Sequence, residues 1–143
     1  MIVTMRRVLC LSPHPDDTEF GVGATLHRFK DQIEAKLLVF SDRNKTRGEK
    51  HNDRDQIASA AKLGIPAKNV QFIDQLGLKI DRLPVRFFGT EEARDTIRRV
   101  VTHVVKEFDP DVIFTPAAHE TMQDHQAVTE EVVRIQRGRA GIF

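Results

Sequence analysis

Two short segments hold the residues whose types and spacing could do chemistry. The first runs Ser12-Pro13-His14-Pro15-Asp16-Asp17-Thr18-Glu19-Phe20. The second runs His119-Glu120-Thr121-Met122-Gln123-Asp124-His125. Imidazole nitrogen and carboxylate oxygen suit zinc, and a catalytic zinc keeps one position open for water. His14 and Asp17 can turn toward one ion while Asp16 stays off it as a base, and His125 can supply a third ligand. Each segment also has a plainer reading. The His-Pro-Asp-Asp string serves as a polar turn that caps the following helix. Asp124 is either a carboxylate that orients a neighbouring ligand or the N-cap of the last helix. Taken singly the two segments are weak signals, and their placement decides how they are read.

The elements between them give that placement. Val8 to Ser12 is a short apolar run that predicts a buried strand. Gly23 to Phe29 reads as a helix, with Ala24, Leu26 and Phe29 facing inward. A second strand is expected over Ala35 to Ser41, then a charged loop from Asp42 to Asp53. A helix over Arg54 to Leu63 ends at Gly64 and Pro66, and Asn69 to Ile73 predicts a third strand. Asp74 to Gly89 is irregular. Glu91 to Phe108 is the longest helix, with a stripe of Ile97, Val100, Val101, Val104 and Val105. Asp111 to Pro116 is the fourth strand, and a last helix starts near Asp124.

Strands alternating with helices predict an α/β fold with a parallel sheet and right-handed crossovers. Ligands of such sheets sit beyond the carboxyl ends of the strands. His14, Asp16 and Asp17 follow the first strand, Asp42 the second and Asp74 the third. His119, Asp124 and His125 follow the fourth. All therefore fall on one edge, which makes the two segments far stronger together than apart.

Composition narrows the classes. The 143 residues suit a single domain, 1–143. Lys plus Arg number 22 against 21 Asp plus Glu. That balance argues against a general nucleic-acid binder. The one cysteine, Cys10, sits in the first strand run and reads as core. No run reaches the roughly 20 apolar residues of a membrane helix, and no signal-peptide pattern is visible, so a cytoplasmic protein without a membrane partner is expected. Asn44-Lys45-Thr46 matches a glycosylation sequon by chance on that reading. His27 and His103 fall inside helices, away from the edge. A dinucleotide site is one rival: Gly21-Val22-Gly23 begins a glycine pattern, but Leu26 stands where its third small residue belongs. The glycines also come late after Ser12, so no NAD or NADP binding is expected.

The segment SPHPDDTEFGVGATLHRF resembles the opening motif of the PIG-L/LmbE-like deacetylases, and TPAAHETMQDHQAV resembles their second metal motif. ASAAKLGI, Ala58 to Ile65, and the polar segment after the second strand are also similar to the family. The resemblance implies a Rossmann-like three-layer sandwich and a Zn2+ ion on His14, Asp17 and His125, with Asp16 as general base. It further implies hydrolysis of an N-acetyl group from an N-acetylglucosamine-type or other N-acetylated small molecule. Asp42 and Arg54 stand where the family tends to place an aspartate and an arginine near the site. Their plainer readings are a turn residue and a solvated arginine. Lys45, Arg47, Lys50 and His51 form a basic loop near the expected site, which is either simply solvated or meets a phosphate or carboxylate of the substrate.

Two departures qualify the resemblance. Met122 stands where the family commonly has a histidine that stabilises the oxyanion, and a thioether cannot donate a hydrogen bond. Either His119 takes over that catalytic role, or zinc alone carries the charge, or this member is weakly active. The sequence is also short at its C-terminal side for the family, which predicts a missing piece of substrate wall. It also predicts an apolar surface near Ile142 and Phe143 that favours a homo-oligomer. Two alternatives follow: a metal-dependent hydratase of the same fold, and a weakly active or non-catalytic member with a structural role.

Overall fold

The structure, a computed structural model, describes residues 5–41, 53–117, 119–136 and, by backbone, 141–142. Five strands form one sheet: β1 Arg7–Ser12, β2 Glu34–Val39, β3 Val70–Phe72, β4 Val112–Phe114 and β5 Gly141–Ile142. Their order is β3-β2-β1-β4-β5, and every pairing is parallel. Four helices connect them: α1 Asp17–Phe29, α2 Asp53–Lys62, α3 Glu91–Phe108 and α4 Gln123–Ile135. The expected α/β architecture with a mainly parallel sheet is therefore what the chain adopts.

Alternation along the strands divides the core. Val8 and Cys10 point to one face with Leu37, Val39 and Phe72, and pack against Leu26 of α1 and Ala60 of α2. Leu9 and Leu11 point to the other with Leu38 and Ile113, against Ile97, Val100, Val101 and Val104 of α3 and Val128 and Val132 of α4. Helices thus cover both faces, giving three layers. The α3 stripe is the one the sequence predicts, with Val105 only partly buried. Thr90 caps that helix by accepting from the Ala93 N–H at 3.2 Å. Cys10 is fully buried, and burial, helped by Glu19, pushes its thiol up to about 12, which suits core packing and not nucleophilic work.

Three expectations need correction. Helix α1 starts at Asp17, six residues before the predicted Gly23. Asp17 and Glu19 in its first turn complement the positive helix end, and Gly21 and Gly23 are carried inside the helix. Gly21 and Gly23 therefore belong to a helix interior, away from any strand-to-helix phosphate turn. With that register Ala24 is exposed, while Thr18, Gly23 and Leu26 face the sheet. Strand β2 ends at Val39, and Ser41 makes only an isolated bridge to Leu83. Gly64, expected to end α2, has φ 83°, and a Cβ there would run into Lys30, so both turn and packing require glycine.

The side chains of Ile142 and Phe143, the Asn44 sequon and the basic loop of Lys45, Arg47, Lys50 and His51 lie outside the described residues. Among the described residues, no helix is long and apolar enough to cross a membrane.

Candidate metal centre

The strand order places the site. β1 and β4 are neighbours, yet the chain leaves β1 toward α1 on one face and reaches β4 from α3 on the other. A crevice opens at such a reversal, beyond the carboxyl ends of the two strands. The loop after β1 and the loop after β4 both empty into it.

The first loop is shaped locally. Ser12 at the end of β1 accepts the Thr18 N–H at 3.1 Å, and its hydroxyl also meets the Thr18 hydroxyl at 3.1 Å. This staple folds the segment between them into a tight turn. Asp17 Oδ2 accepts the backbone N–H of His14 at 2.7 Å. Asp16 takes up a left-handed conformation, φ 76°, which is unusual for a non-glycine residue and strains the backbone by about 1 kcal/mol or more. Gln56 of α2 holds it there: its Oε1 accepts the Asp16 N–H at 2.9 Å, while its Nε2 donates to Glu19. Gln56 is almost fully buried. The Asp16 residue itself is exposed.

His14 is buried, its ring 5.8 Å from that of Phe88 and 5.3 Å from that of His125. Its Nε2 lies 2.7 Å from Asp124 Oδ2. The same carboxylate accepts the backbone N–H groups of Arg86 at 2.7 Å and Phe88 at 3.1 Å. Burial works against ionisation of Asp124, but the bonds from His14, Arg86 and Phe88 outweigh it and hold the carboxyl below its ordinary value. Met122 occupies the N-cap of α4, and Asp124 sits inside the first turn. Asp124 is therefore not the cap. It braces His14 and ties the 84–89 segment to the crevice.

His125 enters from the first turn of α4. Its Nε2 is 3.1 Å from Asp17 Oδ2, and its Nδ1 is 3.7 Å from Glu120 Oε2. Nε2 is buried and meets Asp17 as an ion pair, without a hydrogen-bond partner of its own. The adjoining Asp17 carboxylate raises the imidazole above its ordinary value, against burial. One ligand atom from each of His14, Asp17 and His125 falls within 4.8 Å of the others. Two imidazoles, one carboxylate and an orphaned inward nitrogen are what a zinc-type ion requires of its protein. His14 has a carboxylate hydrogen-bonded to its far nitrogen, an arrangement that fixes tautomer and orientation at metal sites, whereas Glu120 only flanks His125 at 3.7 Å.

The other expected residues scatter. His119 is exposed in the loop before α4, and Arg54 is exposed in the first turn of α2. Asp42 lies outside the described residues. Asp74, also expected at this edge, pairs with Arg82 at 2.8 Å. Two contributors escape the sequence reading. Gln56 lies two positions beyond Arg54, and its only sequence signal is a polar residue on the buried face of α2. Glu120, beside His119, carries no sequence signal that sets it apart from other loop carboxylates, yet it flanks His125 Nδ1 at 3.7 Å.

The chain is a parallel α/β sandwich with two histidines and an aspartate gathered at its switch point as a candidate metal centre. Within it, residues 9–136 match the family model "PIG-L: GlcNAc-PI de-N-acetylase", and the chain belongs to that family. No curated protein sequence matches it. Among solved structures it is similar to N,N'-diacetylchitobiose deacetylase from Pyrococcus horikoshii, with 20% identity and a TM-score of 0.71, covering 93% of this chain and 50% of that one. It is similar also to the A40926 pseudoaglycone deacetylase Dbv21, with 19% identity and a TM-score of 0.73, covering 99% and 62%. A third likeness is to GalB, the 4-carboxy-2-hydroxymuconate hydratase of Pseudomonas putida, at 16% identity and a TM-score of 0.58, covering 97% and 62%. The chain thus spans half to about three fifths of the length of these structures.

Proposed function

We propose that the chain is a zinc-dependent amide hydrolase that removes the acetyl group from an N-acetylated small molecule of the N-acetylglucosamine type. The observation that carries this is His125 Nε2, buried without a hydrogen-bond partner inside the triangle of His14, Asp17 and His125. These three residues would hold the ion. When bound, it supplies Lewis acidity and makes water available as a nucleophile near neutral pH.

The chain's own groups do the rest. Asp16 directly precedes a ligand, stands outside the triangle and is accessible, so it takes the proton from the attacking water. Gln56 fixes the strained backbone that presents it. Water adds to the amide carbonyl carbon, the C–N bond breaks, acetate departs as carboxylate, and the proton held by Asp16 passes to the leaving amine. Met122 cannot stabilise the developing oxyanion, and His119 is our candidate donor in that loop. A missing donor of this kind costs on the order of a hundredfold to a thousandfold in rate.

The test is Asp16→Asn with N-acetylglucosamine derivatives, reading free amine. The variant should keep fold and zinc while losing at least about a hundredfold in turnover. Native turnover in Asp16→Asn would refute the assignment. A second reading, metal-dependent hydration of a carbon–carbon double bond, is supported by the likeness to the hydratase. It predicts water addition to an unsaturated acid and no amine release from any acetylated substrate.

A further inference from the structure

Beside the centre lies a cleft of about 610 Å3 that shares Asp17, Glu120 and His125 with it. Its walls are otherwise hydrocarbon: Phe20 and Val22 of α1, Leu11 near the end of β1, Phe114 at the end of β4, and Pro116 and Ala117 beyond it. Two hydroxyl residues interrupt them, and both are already engaged within the protein. Thr18 Oγ1 pairs with Ser12 Oγ at 3.1 Å. Thr115 Oγ1 donates to the Pro116 carbonyl at 2.8 Å and faces Thr129 Oγ1 at 3.1 Å. Phe20 stands 90% exposed on this wall, open to an apolar guest.

A sugar ring placed here would give up its water hydrogen bonds with few partners to replace them. An alkyl chain loses nothing on entry and gains up to about fourfold in affinity per buried methylene. The volume far exceeds what one methyl group fills. We propose that this cleft is an acyl subsite, which takes the hydrocarbon chain of an N-acyl group longer than acetyl while the amide lies at the centre and the amine-bearing part stays outside. The proposal rests on the amide-hydrolase reading above and widens its substrate class from N-acetyl to medium-chain N-acyl compounds. The bonds made and broken are the same, with a fatty acid released as carboxylate in place of acetate.

Gly21 supplies the means of testing it. It lines the cleft, and a Cβ built on it meets nothing within 4 Å. Gly21→Leu therefore points a branched chain into open space, and leucine is also the better helix former. Ala117→Leu narrows the cleft from the opposite wall.

The experiment compares the binding of octanohydroxamate and acetohydroxamate to the full chain by calorimetry, zinc-loaded and metal-free. Turnover of N-octanoyl- and N-acetylglucosamine is measured alongside. The octanoyl ligand should bind at least a hundredfold more tightly in both forms, and the octanoyl substrate should have at least a tenfold higher kcat/KM. Gly21→Leu and Ala117→Leu should each shrink the binding ratio at least tenfold, with melting temperatures no lower than about the native one. A native ratio near one overturns the subsite, as does a ratio that survives both folded variants. Acetyl turnover with no gain from the longer chain removes the subsite and leaves the hydrolase reading standing. A large binding ratio without hydrolysis of any amide does the reverse.

Discussion

Helix α4 buries ionisable groups near both of its ends, and the two ends are finished differently. Toward the C-terminal end, Glu131 is fully buried, yet Arg94 and Arg98 of α3 meet its two oxygens at 3.1 and 3.0 Å, with Arg134 at 3.5 Å. At the N-terminal end, Asp124 is saturated by three donors, but His125 Nε2 is left over. A buried charge that is fully matched ties two helices together and leaves no capacity for a ligand. A buried polar atom with no hydrogen bond costs stability and persists in native proteins for a reason. The difference separates scaffold from site on one helix.

The comparison can be broken most severely at the ligands. His14→Ala and His125→Ala should each abolish stoichiometric zinc, measured by elemental analysis after desalting. Full retention in both would dissolve the distinction. Asp124→Asn tests the brace behind His14. Zinc affinity should fall about 10- to 100-fold in competition with a chelator, and an unchanged affinity would reduce Asp124 to a tie for the 84–89 segment.

The matched end should respond in stability alone. Glu131→Gln leaves Arg94 and Arg98 short of a counter-charge. Breaking a fully buried pair costs about 3–5 kcal/mol. Both arginines reach solvent, so about 2 kcal/mol is expected here, read by urea unfolding with zinc content unchanged. A smaller effect is the pH dependence. Burial opposes ionisation of Glu131, but the bonds from Arg98 and Arg94 prevail and lower its pKa from the ordinary 4.5. A lowered carboxyl stabilises the fold above its unfolded pKa and loses that contribution as pH falls through the folded one. The gap between native and Glu131→Gln should therefore be full above about pH 4.5 and narrow on further acidification. A gap independent of pH would show that the charge on Glu131 is not what matters.

Periodicity made much of the fold legible. The apolar stripe of α3 and the short strand runs depend on side chains that recur at fixed intervals, and burial acts on that recurrence directly. The start of α1 was hidden because Gly21 and Gly23 look like breakers, whereas the first-turn acids and the Ser12 staple are what commit the chain to a helix at Asp17. The His14, Asp17 and His125 cluster was legible because each follows a strand end that topology brings to one edge. The contacts of Asp124 were not. Two of its donors are backbone N–H groups of an irregular segment, and a backbone group carries no residue type to read. Gln56 escaped for a related reason: a glutamine signals nothing until the helix that carries it is docked.

The pairing of β1 with β4 has a thermodynamic corollary. His14 and Asp124 stand 110 residues apart in the chain and meet only when those strands align, Val8 beside Val112. An ion that meets the unfolded polypeptide finds His14 and Asp17 without His125. On the proposed reading, uptake would be confined to the native state, and by mass action an ion at a hundredfold excess over its dissociation constant would deepen the native well by about 2.7 kcal/mol. The melting temperature would then become a gauge of metal supply, and a chelator would act on this protein as a mild denaturant.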